Sequence, residues 1–170
     1  MGGKVAQLLA SRRPSGLKGI ILVAPAPAGP LILPSNEKKE QQMKAYDSPE
    51  AARFVIREVL TAGGLDEDDV RLLVEDTQRG NEWARKAWPA YGMGEDYSEN
   101  LSNIQVPARI LVGSLDKVEP VEKVQREVLE KIDGTNTKVS MVVVEGSGHM
   151  LPLEKPYRLA EEIQAFCYDM

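Results

Sequence analysis

Three runs of consecutive aliphatic residues constrain this chain more than anything else in it. They are Gly19-Ile20-Ile21-Leu22-Val23-Ala24, then Val106 to Val112 (Val-Pro-Ala-Arg-Ile-Leu-Val), then Lys138 to Val144 (Lys-Val-Ser-Met-Val-Val-Val). None alternates polar with apolar, so each reads as a strand covered on both faces, the kind found in parallel sheets. Between the second and third, Val121, Val124, Val128 and Ile132 recur at helical spacing, behind a Pro120 suited to a first helical turn. After the third, Pro156 to Phe166 turns Leu159, Ile163 and Phe166 toward one face. Strand, helix, strand, helix is the α/β pattern. Ahead of the first strand, residues 3–12 put Val5, Leu8 and Leu9 on one helical face and stop before Pro14.

The stretch from about Pro30 to Asn103 breaks that rhythm, holding several helices and no convincing strand. Ser48-Pro49-Glu50 starts a helix that carries Ala51, Val55 and Val59 to a stop at Gly63-Gly64. Asp66 caps a second one, with Val70, Leu73, Val74 and Thr77 on one face and Gly80 at its end. A third covers Asn81 to Ala87 and breaks at Trp88-Pro89, and a charged one covers Asn36 to Tyr46. The chain therefore divides into an α/β core, residues 1–29 and 104–170, and a helical insertion over residues 30–103.

Composition excludes several functions. A net charge of −5 with a pI near 5.1, and no stretch that concentrates Lys or Arg, argues against nucleic acid as a partner. The longest apolar stretch, Gly19 to Ala28, is too short to cross a bilayer, and Met1-Gly2-Gly3-Lys4 lacks the apolar run of a secretory signal. One histidine and one cysteine, Cys167, supply neither a disulfide nor the clustered ligands of a zinc site. The expectation is a cytoplasmic chain without metal or organic cofactor.

Two residues carry possible chemistry. Asp116, in Leu111-Val112-Gly113-Ser114-Leu115-Asp116, follows the second strand, where open α/β sheets place their ligand crevices. By itself it reads more readily as a loop carboxylate bonding nearby amides, or as an early cap for the helix at Pro120. His149, in Glu145-Gly146-Ser147-Gly148-His149, follows the third strand and is the sole side chain here suited to proton transfer near neutrality. Its bland reading is a partly exposed loop histidine. Together they could meet at one sheet edge, the carboxylate orienting the imidazole. No serine satisfies G-x-S-x-G, so the pair lacks a nucleophile.

Met1-Gly2-Gly3-Lys4-Val5-Ala6 resembles the run after the nucleophile serine of α/β-hydrolases, where Gly-His-Ser-Met-Gly-Gly is a frequent spelling. Gly113 to Pro120 (Gly-x-x-Asp-x-Val-x-Pro) and Gly148 to Pro156 (Gly-His-x-x-x-x-Glu-x-Pro) are similar to the family's acid and base segments. The resemblance covers essentially the whole chain. It implies the last three strands of that parallel sheet with a helical lid over 30–103, Asp116 and His149 as triad members, and Met1 as an oxyanion donor. Trp83, Trp88, Tyr91 and Met93 would line an apolar acyl pocket, although aromatics and Met in such an insertion often serve its packing.

What the resemblance implies is a serine hydrolase for small, fairly apolar esters, thioesters or lactones, seen as a fragment that lacks its nucleophile and is inactive alone. Two alternatives stand beside it. One is a truncated, non-catalytic relative acting through a protein partner; the other is a relative with an Asp nucleophile, such as an epoxide hydrolase or haloalkane dehalogenase. With no elbow strand beside it, the strand at 19–24 is a sheet edge, so the isolated chain should be unstable, or oligomeric, or bound to a complementing chain.

Overall fold

A computed structural model of the chain describes residues 1–133 and 138–169. Three strands, β1 (Ile20–Val23), β2 (Ala108–Gly113) and β3 (Val139–Val144), form one parallel sheet in the order β1-β2-β3. Ile20 pairs with Ala108, and Ala108 in turn with Val139, so the three strand starts lie level. All three carboxyl ends consequently open at one edge.

Only β2 meets the expectation of a strand covered on both faces, since β1 and β3 are mostly half-buried. They are the outer strands, and each has a neighbour on one side only among the described residues. The core runs from Leu22 through Ala108, Ile110 and Val112 to Val124, Val128 and Ile132, all essentially buried.

The helix expected over 120–132 forms as α6 (Val121–Val124), a π-turn (Gln125–Leu129) and α7 (Glu130–Asp133) in continuous succession. Before it come α1 (Gly2–Ser11) and the helices of the insertion: α2 (Asn36–Lys44), α3 (Pro49–Val55) running into a π-turn (Ile56–Leu60), α4 (Glu67–Arg79) and α5 (Glu82–Ala90). Ser35, Ser48, Asp66 and Asn81 each accept a backbone N–H at an N-cap. The helix expected to break at Trp88-Pro89 instead runs through Pro89 to Ala90. Pro89 sits in the last turn, where its missing N–H removes one bond, and Tyr91 N–H still reaches Ala87 O. No helix among the described residues is long and apolar enough to cross a membrane.

Two helices depart in part from their apolar pattern. On α1 the buried side chains are Lys4, Gln7, Ala10 and Ser11, while Val5 and Leu9 are more than half exposed. Lys4 and Gln7 are buried because backbone carbonyls meet them. The Lys4 ammonium donates to Gly29, Gly92, Met93 and Glu95 carbonyls, and Gln7 Nε2 to Gly3 and Ala26. After β3 come α8 (Leu151–Glu154) and α9 (Pro156–Tyr168). On α9 Phe166 turns inward as expected, but Ile163 faces solvent and Glu162 takes the inner position. Arg109 of β2 decides that phase, its guanidinium 3.1 Å from the Glu162 carboxylate and stacked over the Phe166 ring.

Candidate active site at the carboxyl edge of the sheet

The loops leaving β2 and β3 are stitched together. Ser114 N–H donates to Val144 O, Leu115 N–H to Ser147 O, and Gly146 N–H to Ser114 Oγ. Gly113 allows this approach, because a Cβ there would lie 2.2 Å from Ser147 O and 2.3 Å from Gly148 O.

That stitching carries Asp116 to His149. Asp116 Oδ1 accepts the N–H groups of Val118 at 2.8 Å and Glu119 at 2.9 Å. Its other oxygen, Oδ2, lies 2.8 Å from His149 Nδ1. Both readings of Asp116 therefore hold together: one oxygen shapes the loop, the other meets the imidazole. The Asp116 side chain is fully buried, and that of His149 is about one-fifth exposed. A carboxylate only accepts, so Nδ1 carries the proton and Nε2 is left with a lone pair. An oriented imidazole with a basic Nε2 can remove a proton from a hydroxyl nucleophile and later return it to a leaving group.

His149 borders a cavity of about 1060 Å³ whose wall also includes Met1, Ala26, Trp88, Met93 and Glu119. Of the four side chains expected at an acyl pocket, Trp88 and Met93 line it, whereas Trp83 and Tyr91 are exposed and do not. Trp83 and Trp88 lie five residues apart on α5, about 140° around the helix, so one turns in when the other turns out.

Glu119 went unnoticed in the sequence, because it occupies an open position of Gly-x-x-Asp-x-Val-x-Pro. Its side chain is almost fully buried, with the Lys123 ammonium 2.9 Å from Oε2 yet out of line for a hydrogen bond. Burial pushes the Glu119 carboxyl above the usual glutamate range, while Lys123 and His149 draw it back. Burial likewise lowers the Met1 amine, and the Glu119 charge opposes that. Lys4 was also missed as a contributor. Burial pushes its ammonium below the usual lysine range, and it sits over the faces of Trp88 and Tyr97, tying α1 to the insertion.

Residues 1–156 match the family model described as Serine aminopeptidase, S33. The chain belongs to this α/β-hydrolase family. Among relatives of this S33-family chain is monoacylglycerol lipase abhd6-B of Xenopus laevis, 25% identical, with 98% of the chain and 52% of that protein covered. The esterase EaEST from Exiguobacterium antarcticum superposes with a TM-score of 0.81 at 18% identity, over 96% of this chain and 62% of that one. Carboxylesterase CesB from Bacillus subtilis does so with a TM-score of 0.73 at 19% identity, over 98% and 56%. These likenesses show the fold, and the S33-family chain spans about half the length of the curated relative it matches.

Proposed function

We propose that this chain carries the acid and base of a serine hydrolase acting on small, fairly apolar esters, thioesters or lactones, with the nucleophile supplied from outside these 170 residues. The 2.8 Å contact between Asp116 Oδ2 and Nδ1 of His149, a residue that lines a large cavity, carries this reading. His149 Nε2 takes the serine proton, Asp116 stabilises the resulting imidazolium, and the Met1 nitrogen, a backbone amide where a serine precedes it and a terminal amine in this chain, helps to hold the oxyanion of an acyl-enzyme pathway. The insertion acts as a lid, and Trp88 and Met93 supply an apolar wall for the acyl group. The lone, exposed Cys167 fits a reducing, cytoplasmic setting.

A second reading, a non-catalytic chain that pairs with another, draws on the outer edge of β1 and the exposed apolar residues Met1, Val5 and Leu9 beside it on α1. The occupant we assign to that face is a segment bearing Gly-x-Ser-x-Gly on a strand-to-helix turn, or a second copy of the chain where no such segment is present.

Labelling with a fluorophosphonate separates these readings. The chain alone stays unlabelled; assembled with an upstream α/β-hydrolase segment that carries the serine elbow, it gives a complex that labels on that serine and hydrolyses p-nitrophenyl butyrate. An assembled complex that neither labels nor hydrolyses leaves only the pairing role. Hydrolysis that requires an Asp in place of the serine, without labelling, points to the epoxide hydrolase or dehalogenase chemistry.

A further inference from the structure

We propose that Glu154 is a positioning residue that clamps the His149 loop to the exit of the insertion's first core-facing helix, so that the imidazole is held in place from the lid side. This rests on the reading of His149 as the general base.

Strand β3 leaves Gly148 and His149 in an open loop. Two residues later the single turn α8 begins and folds the chain back, bringing the Glu154 carboxylate against the loop it has just left. Oε2 accepts Gly148 N–H at 2.9 Å, with the Ser147 hydroxyl at 3.4 Å, while Oε1 accepts Ala62 N–H at 2.6 Å. Ala62 belongs to the insertion, two residues past the π-turn that ends α3. One carboxylate thus bridges two backbone segments 86 positions apart, using a different oxygen for each.

The two segments are already in close backbone contact. Leu60 O accepts both His149 N–H at 2.8 Å and Met150 N–H at 3.2 Å. A Cβ on Gly148 would stand 2.7 Å from Ala62 N and 2.9 Å from Thr61 C, so only glycine fits between them. Thr61 is buried and bonds back to Ile56 and Arg57 carbonyls, which fixes the direction in which the helix hands over its chain. The Asp116 side of the imidazole is set by the β2 loop, whereas the backbone of His149 is set by the insertion. Glu154 is the side chain that joins the His149 loop to the insertion, and movement of the insertion moves His149 with it.

The test uses the chain as it stands and its single histidine. The proton held between His149 Nδ1 and Asp116 is expected to give one far-downfield NMR signal. Glu154→Gln keeps the shape but has only one carbonyl oxygen, so it faces one of the two N–H groups with an amide NH2. Ala62→Pro removes the insertion's donor and leaves the carboxylate intact; Thr61, in extended backbone, tolerates a following proline. Both variants are expected to keep the circular dichroism spectrum and to lose or broaden the downfield signal. In the serine-complemented enzyme kcat falls about 100-fold with KM unchanged, the scale of a misplaced catalytic group. Variants that lose only thermal stability, with the downfield signal in place, overturn the proposal. Failure of the hydrolase reading is a separate result, because the NMR signal reports the placement of His149 without any turnover.

Discussion

Asp116 and His149 stand 33 positions apart in the chain and 2.8 Å apart in space, joined through loops that leave neighbouring strands. The contact exists because the Gly113 and Ser147 backbones pass within a distance no side chain would permit. Asp116→Asn places an amide where an acceptor-only group stood, and Nδ1 loses its fixed proton. In the serine-complemented enzyme kcat is expected to fall by about 10³- to 10⁴-fold. The circular dichroism spectrum of the folded chain stays unchanged, and a variant that retained near-full activity would remove Asp116 from the mechanism.

Stability should depend on Glu119 in a direction that can be worked out. Folding raises the affinity of its carboxyl for a proton, because burial disfavours the charge. The folded state therefore binds more protons than the unfolded state, starting at the ordinary glutamate value of about 4.3 and extending up to the raised one. The contribution is complete below that window and is lost as pH rises through it. Urea unfolding of the wild type and Glu119→Gln between pH 4 and 8 should give a stability difference that moves against the wild type with rising pH. A difference independent of pH would mean that folding leaves the proton affinity of Glu119 unchanged.

Lys4 fastens α1 to the insertion and its approach through four largely part-buried carbonyls, and its replacement leaves those carbonyls without that donor. Lys4→Met is expected to cost about 2–4 kcal/mol. It should also open the segment between residues 29 and 95 to limited proteolysis. Resistance equal to that of the wild type would show that the Lys4 contacts do not hold the insertion in place.

Ion pairs on this chain should differ sharply in weight. Glu162 and Arg109 are mostly buried, so Glu162→Ala leaves the guanidinium with only the more exposed Asp169 carboxylate, at a loss of about 3 kcal/mol. Arg71 and Asp68 are solvated on α4, and Arg71→Ala should change stability by less than about 0.5 kcal/mol. Equal effects in the two denaturation curves would refute the ranking.

The exposed face of α1 provides a test of pairing. Val5→Glu combined with Leu9→Lys places charges on an uncovered apolar strip without touching the buried Lys4 and Gln7. Sedimentation of the isolated chain should shift toward monomer, and complementation by the serine-bearing segment should be lost. Unchanged assembly would move the interface elsewhere.

The α/β class, the three strands, the insertion and the Asp-His pair were all legible in the order of residues. Strand runs such as Ile20–Val23 and caps such as Ser48 act locally, and the motifs around Asp116 and His149 keep fixed spacing from their strands. Tertiary structure decided what lies beyond that reach. Periodicity assigned the inward faces of α1 and α9 to Leu9 and Ile163, yet Lys4 and Glu162 took them, because carbonyls and Arg109 from distant segments satisfy their charge. Trp88 and not Trp83 reaches the cavity, since helical phase depends on what α5 packs against. Glu119 and Glu154 gain their surroundings only when loops far apart in the chain close on one another. Hydrophobic pattern and capping are local properties and can be read along a sequence; the partners of a buried charge come from anywhere in the chain, and only the folded molecule brings them together.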